Sequence, residues 1–386
     1  MRVITLLLVF VCLVPITGLA NDVTVGCGGL SGFNYPSVTM ALNGLRGISN
    51  RNHTITISGT CVERVEVTDF ENVSLIGTPG ATITNPGGPA VRVEFSKNIT
   101  LRDLVIHGVI GYPVIRVSDS SVDIRGGTVE GGGNGVEANP NSRINIYGST
   151  IQDNEQNGVS ASGNSSVGIR PRSGQKVVIQ HNGTGVWATD GSSVTIWETD
   201  VLDNVLCGVK AAGGHVEFGG NGQTRIANSG NGVVANRGGT VVQLGGFVLV
   251  DNNRQVGVTS RLGSSIVLMN AAIDNNGDPN STLPFTAGVA VEVSATAFFS
   301  HVTISNSPVT GLLVRDNASV ILTGSTITGN GADGIRVETL SGVRFQIMPT
   351  TVTGNSGSDL VCGSDTYVVG GSFANVGKDK CPQFKK

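Results

Sequence analysis

Apolar and polar positions alternate along this chain in bursts of four or five residues. In one stretch Val186 and Ala188 alternate with Trp187 and Thr189, then Val194 and Ile196 alternate with Thr195 and Trp197, and "TDVLDN" follows around Val201. Strict alternation over so few residues is the signal of a half-buried strand and not of a helix. Glycine, serine, asparagine and aspartate fill the gaps, as turns require.

The bursts come in a repeating unit of three strands. Each unit opens on a glycine followed by an apolar residue, at Gly135, Gly158, Gly185, Gly208, Gly232, Gly257, Gly288, Gly311 and Gly334, with steps of 23, 27, 23, 24, 25, 31, 23 and 23 residues. Three short strands per unit describe one rung of a coil. Rungs stacked in parallel sit about 4.8 Å apart, and each buries its inner face only against its neighbours. A propeller blade needs about forty residues or more, and a leucine-rich repeat needs its Leu/Asn pattern; neither fits. Upstream the rhythm is looser, through "TITISG", "NVSLIG", "AVRVEF" and "NITLRDLVIHG", and reads as three or four more rungs. Before them Val38, Ala41, Leu42 and Leu45 fall at i, i+3, i+4 and i+7, one apolar helix face suited to covering the coil's open end.

The pattern resembles the right-handed parallel β-helix of the pectate-lyase-like superfamily, within the broad group of secreted β-helix repeat proteins. The fold class this implies is all-β, a right-handed parallel β-helix with a short N-terminal capping helix. Activity does not follow from that resemblance, because the fold hosts unrelated functions. Pectate lyases carry Arg-x-Pro-x-x-Arg, but "IRPRSG" has Arg170-Pro171-Arg172 without the flanking arginines in place. Polygalacturonases carry Gly-His-Gly, but His107-Gly108 follows Ile106, and the family's Asn-Thr-Asp, Asp-pair and Arg-Ile-Lys motifs are absent.

An asparagine precedes most of the glycine pairs: Asn154, Asn182, Asn204, Asn228, Asn252 or Asn253, Asn275, Asn306, Asn330 and Asn355. Asparagine tolerates the left-handed backbone of a tight corner, and stacked amides can bond rung to rung. These residues are expected to hold the corner and do no chemistry.

Chemistry, if present, belongs to outward columns. Tyr147, Arg170 and Trp197 fall on one outward column over three successive rungs, with Trp187 close by in sequence and Lys210 next to it in the following rung. Aromatics are only 5% of the chain, so two tryptophans in one rung stand out. Exposed rings stack on sugar faces, and an arginine beside them can hold a uronate. These five residues are the candidate substrate-binding set. The candidate catalytic set is Asp153, His181 and Asp203, which share one position in consecutive rungs. A histidine between two carboxylates has its pKa raised and can act as acid or base. Against this, Asp and His are ordinary corner residues, and Asp251 and Asp274 continue the column without a histidine. No cofactor or metal site is indicated; Ca²⁺ would need carbonyl oxygens to join the same column. On the opening strand Arg261, Glu292, Arg315 and Glu338 alternate in sign, as cross-strand charge pairs do. The two longest steps mark projecting loops, the larger spanning Asn276 to Ala287, and a groove is expected between them.

Bulk properties narrow the partners. Charged residues are 14%, net charge is −3, and there are 56 glycines. No basic block is present, which argues against nucleic acid. Residues 1–20 combine Arg2, an apolar run from Val3 to Val14 and the small-residue end Gly18-Leu19-Ala20. This is the pattern of a cleaved secretory signal, too short for a span. An exported chain makes disulfides plausible. With two cysteines near each end, the expected pairs are Cys27–Cys61 and Cys362–Cys381, leaving Cys207 unpaired. The expected organisation is a signal peptide (1–20), a cap (21–48), the β-helix (49–376) and a tail (377–386). The functional expectation is a secreted or periplasmic protein that binds or acts on polysaccharide or cell-surface glycan through an outward aromatic face. If it is an enzyme, polysaccharide lyase or glycoside hydrolase fits best; the alternative is a non-catalytic structural or adhesive module.

Overall fold

A computed structural model describes residues 21–47, 52–280, 286–370, 373–377 and 379–382. The expected signal peptide, part of the Asn276–Ala287 loop and the last residues of the tail lie outside them.

The chain coils into a right-handed parallel β-helix with three strands per rung. One strand of each rung joins a narrow sheet of 14 parallel strands that runs in chain order from Val65–Thr68 to Asp379–Lys380. The other two strands of each rung join a wide sheet of 27 strands. The register is in line from rung to rung, so identical positions form columns. Val159, Val186, Val209, Val233, Val258, Val289, Leu312, Ile335 and Leu360 form one such column. Each is completely buried. Parallel columns of Ile and Val line the two strands of the wide sheet, which is why β-branched residues dominate inward positions.

The repeating glycine has a steric cause. These glycines do not need positive φ; their Cα atoms turn inward at a corner already full. A Cβ on Gly208 would lie 2.4 Å from Ile226 Cγ2 and 3.0 Å from the Gly232 carbonyl. The same clash with a side chain and the next rung's carbonyl recurs at Gly158, Gly185 and Gly232.

The asparagine ladder is real but shifted by one residue in several rungs. The fully inward positions are Asn154, Asn182, Asn204, Ser229, Asn253, Asn276, Ser307, Asn330 and Asn355, all buried. Amides bond upward, with Asn154 Nδ2 donating to Asn182 Oδ1 at 2.8 Å and Asn330 Nδ2 to Asn355 Oδ1 at 2.8 Å. Asp359 ends the ladder by accepting from Asn355 Nδ2 at 2.7 Å. Asn228, Asn275 and Asn306 are instead the residues before it, at φ 56°, 51° and 53°. They turn the corner; the next residue fills it.

Both ends are closed. Helix Val38–Leu45 buries Val38, Ala41, Leu42 and Leu45 against the first rungs. Ser37 Oγ caps it by accepting from Met40 N–H at 3.2 Å. The Glu63 carboxylate accepts from the Val38 and Thr39 N–H groups at 2.8 and 2.9 Å. The strand Asn21–Gly26, within the expected cap segment, pairs in full register with His53–Ser58. Cys27 is bonded to Cys61 beside it. At the other end Asp379–Lys380 pairs with Leu360 and Val361, pinned by the Cys362–Cys381 bond. Cys207 is a buried free thiol.

Candidate functional site

The outward column on the wide sheet is longer than its aromatic members. Arg102, Arg125, Tyr147 and Arg170 occupy partner positions in four successive rungs. Trp197 follows in the fifth, with the Arg170 guanidinium 4.2 Å from its ring centroid. The Arg125 guanidinium lies 5.5 Å from the Tyr147 centroid. From Arg125 onward cations and rings alternate along the coil axis, each ring flanked by a guanidinium. Gly219, in the next rung, lets the indole lie flat: a Cβ there would be 2.4 Å from Trp197 Nε1. Trp197 Nε1, Arg170 Nε and Arg102 Nε are shielded from solvent and have no hydrogen-bond partner. With Arg170 on one face and Gly219 beneath the other, Trp197 presents its edge outward.

Beside this column lies a polar groove of about 430 Å³ lined by Asn98, Thr100, Ser121, Asp123, Arg125, Arg143 and Asn145. Asn145 Nδ2 donates to Asp123 Oδ1 at 2.9 Å, and Arg125 pairs with Asp123. On the other flank, the extra residues of the long 27-residue step fold back over the bend between the two strands. Arg172 and Gln175 exchange backbone hydrogen bonds at 2.9 Å, and the Arg172 side chain reaches Asp103 at 3.5 Å. Gly126 and Gly148, both with positive φ, make room beneath it.

Trp187 and Lys210 are placed elsewhere. They stand in register on the narrow sheet, with Lys210 Nζ 5.2 Å from the Trp187 ring centroid. The turn at Asp190–Ser192 separates Trp187 from the strand carrying Trp197, so ten residues of sequence correspond to a change of face. Lys210 borders a second depression of about 290 Å³, where the small outward residues Val234, Thr259 and Ala290 follow it. Arg261, Glu292 and Cys207 wall this socket. Arg315 Nε donates to Glu292 Oε1 at 2.9 Å. Burial nevertheless raises the Glu292 carboxyl above its ordinary range, against the lowering effect of Arg315, and burial likewise raises the Cys207 thiol. Thr286, at the end of the other projecting loop, also lines this socket. The two loops therefore flank different faces, because their insertions fall at different corners, and they do not bound one common groove.

Asp153, His181 and Asp203 share a corner with φ of 55°, 53° and 53°. His181 Nδ1 lies 3.6 Å from Asp153 Oδ1, with both side chains more than half exposed. The column continues through Asn228, Asn252, Asn275 and Asn306, all with positive φ. Asp251 and Asp274 do not continue it; they sit one residue earlier, in the strands, where Arg225 binds Asp251 through Nε and Nη2 at 3.0 and 2.7 Å. Among the described residues, one group of His, Cys, Asp and Glu atoms is close enough to hold a metal, Cys27, Cys61 and Glu63. Its sulfurs form a disulfide and its carboxylate caps the helix.

A family model described as a right handed beta helix region matches residues 48–222 and 216–373. No curated protein matches the sequence. Among solved structures, the catalytic domain of a GH87 α-1,3-glucanase in complex with tetrasaccharides superposes with a TM-score of 0.54 at 14% identity, covering 90% of this chain and 68% of that one. The A-modules of the Azotobacter vinelandii mannuronan C-5 epimerases AlgE4 and AlgE6 align at TM-scores of 0.45 and identities of 16% and 15%, each covering 88% of this chain and 94% of theirs.

Proposed function

The chain belongs to the right-handed β-helix family, and from that premise we propose that its wide-sheet face binds polysaccharide without turning it over. The observation that carries this is the axial column Arg125–Tyr147–Arg170–Trp197 running beside a groove rich in hydroxyls and amides. A polymer of sugars offers hydroxyls to Asn98, Thr100, Ser121 and Asn145, and ring faces to the edges of Tyr147 and Trp197. The fold is compatible with glycan recognition, since the α-1,3-glucanase domain that shares it holds tetrasaccharides. Trp187 and Lys210 lie outside this face and play no part in it.

Asp153, His181 and Asp203 are corner residues in this reading. Their left-handed backbone is one that Asp, Asn and His favour, and their side chains stand open to solvent at the corner. The two disulfides suit an oxidising compartment. No helix among the described residues is long and apolar enough to cross a membrane. The disulfides support a reading in which the protein works outside the cytosol as a glycan-binding module.

Binding of a broad glycan array by the mature chain tests the proposal. Tyr147→Ala and Trp197→Ala are expected to weaken the best ligand about tenfold each, the loss of one ring-edge contact. Trp187→Ala is expected to leave it unchanged. Absence of any glycan binding refutes the proposal, as does a ligand whose affinity depends on Trp187 but not on Tyr147.

A further inference from the structure

We infer that the socket on the narrow sheet binds a small organic anion with an apolar body, an aryl or short alkyl monocarboxylate. The socket lies on a different face from the glycan column, and the inference stands apart from that reading.

The floor is built of outward residues that are buried all the same. Val234, Thr259 and Ala290 follow Lys210 at partner positions in three successive rungs. Their neighbours Val233, Val258 and Val289 fill the core, so these three side chains face away from it. Yet only 4, 7 and 1% of each is exposed. The side chains around them therefore rise as walls. Cys207, Asn231 and Val256, in register with one another, form one wall; Arg261 and Glu292 form the other, and Lys210 closes one end. The floor spans two rung steps, about 9.6 Å, and the volume of about 290 Å³ is at the small end of ligand cavities. That suits a single ring or a short alkyl chain, not a polymer.

Charge sets the head group. Arg315 Nε donates to Glu292 Oε1 at 2.9 Å and lies 3.5 Å from Asp316, so the carboxylates on this side are already answered. Arg261 stands in register with Glu292 but makes no ion pair with it. Lys210 Nζ rests 5.2 Å from the Trp187 ring centroid. Among the described residues neither Lys210 nor Arg261 has an ion-pair partner. Two unpaired cations beside an apolar floor attract one anion, and the guanidinium offers it a fork. The buried floor keeps water from one side of that contact, which strengthens it. Glu292 repels a second acidic group, as like charges in adjacent positions do.

Apolar surface flanks the socket at both corners. Val205 and Leu206 just before Cys207, and Leu262 and Val293 just after Arg261 and Glu292, are all exposed. Leu262 and Val293 hold φ of 57° and 52° at a corner where other rungs place Asp190, Gly213 and Asp316. A β-branched valine fits left-handed backbone poorly, so an apolar side chain stands there against backbone preference.

A ligand-observed NMR titration of the mature chain at neutral pH tests this with a matched set. Benzoate and hexanoate are the acids, benzamide and hexanamide their uncharged counterparts. Acetate supplies the charge without the body, adipate a second charge, and galacturonate a polar acid. Iodoacetamide labelling at mildly alkaline pH is the second readout, because Cys207 is the thiol that the two disulfides leave free. Benzoate or hexanoate is expected to bind about tenfold tighter, or more, than its amide, acetate, adipate or galacturonate. The same ligand should slow Cys207 labelling, with its half-effect at the concentration that half-saturates the NMR signal. Lys210→Gln and Arg261→Gln should each weaken it about tenfold, the loss of one charge-assisted contact, while Arg261→Lys keeps part of the affinity. Ala290→Leu fills the floor and should abolish binding; should it fail to fold, the two partly exposed Gln positions carry the test. Trp197→Ala, on the other face, should change nothing. An amide bound as tightly as its acid overturns the inference, as does galacturonate bound as tightly as benzoate, or binding that leaves Cys207 labelling and both Gln variants unaffected. Absence of binding up to about 10 mM overturns it too, and leaves the glycan reading untouched.

Discussion

Asn204→Ala isolates what the inward ladder contributes. Asn204 is completely buried. Its Oδ1 accepts from the Asn182 backbone N–H at 3.0 Å and from Asn182 Nδ2 at 3.2 Å, and its Nδ2 donates to the Ile179 carbonyl at 3.2 Å. Alanine removes all three bonds. At a net ~1 kcal/mol each, with ~1–3 kcal/mol more for leaving the buried Asn182 N–H unpaired, the loss is about 4–6 kcal/mol. Serine supplies an internal control, because the coil already uses it one rung further on. Ser229 Oγ accepts from Asn204 N–H at 3.3 Å and donates to the Ala227 carbonyl at 3.2 Å, so a hydroxyl keeps one acceptance while giving up the amide bond upward. Asn204→Ser should therefore cost about half as much as alanine. The assay is urea unfolding followed by far-ultraviolet circular dichroism with the disulfides intact. Hydrogen exchange accompanies it, since a solenoid can open locally. Protection should fall first in the rungs carrying Asn182 and Asn204 and not at the capped ends. An alanine cost below about 1 kcal/mol, or equal costs for serine and alanine, would show that the ladder is decorative and refute the reasoning.

Three further outcomes follow from the same geometry. Gly208→Ala places a methyl 2.4 Å from Ile226 Cγ2 and should destabilise by about 1–3 kcal/mol, read in the same urea titration; a neutral result would deny the steric account of the repeating glycine. Burial raises the Cys207 thiol pKa, so iodoacetamide should label the native protein with a pH midpoint above that of the unfolded chain, near the ordinary thiol value of about 8.5. The linked stability term is fully present below that ordinary value and is lost as pH climbs through the folded one; Cys207→Ala should abolish this alkaline decline. Gly219→Ala pushes a methyl against the Trp197 indole, 2.4 Å from Nε1, and in a Trp187→Phe background should red-shift the remaining tryptophan emission; an unchanged spectrum would contradict the flat stacking on Gly219.

The coil itself was legible because its code is redundant. Inward alternation, the glycine step and the corner residues all repeat with one period, so an error in one rung is corrected by the others. The ladder register was less legible, for a chemical reason. Doublets such as Asn252-Asn253 and Asn275-Asn276 offer two asparagines, and the left-handed corner and the inward amide position both favour that residue. Where the inward residue is Ser229 or Ser307, the preceding asparagine attracts the alignment and shifts it by one. The grouping of Tyr147, Arg170 and Trp197 on one column could be read because they share a strand of the rung. Trp187 is near them in sequence, yet one turn moves its side chain to another face. Of the missed residues, Arg102 and Arg125 lie in rungs where the glycine marker is absent, and Arg143 sits at the start of the Tyr147 strand, away from the column position. A signal was there: Arg102, Arg125, Tyr147, Arg170 and Trp197 are separated by 23, 22, 23 and 27 residues, the period of the coil.

In a β-helix nearly every inward side chain is committed to the rung above and below, and each corner is committed to backbone geometry. What remains free to differ is the outward columns, and most of them here are Thr, Ser and Val, or charges paired in sign such as Glu292 with Arg315. The Arg102–Trp197 column departs from that rule in three ways at once. It stacks Arg102 on Arg125, it shields Arg170 Nε and Trp197 Nε1 without a hydrogen-bond partner, and it inserts both large rings of the wide-sheet column where a threonine would fit. Each departure costs stability in the free protein. A fold this regular gains nothing structural from concentrating them on one stripe, and that is where the proposed glycan contact belongs. On the glycan-binding proposal the ligand is a polymer, because the column presents its contacts one rung at a time, about 4.8 Å apart, and a fragment spanning one rung would meet a single side chain of the column.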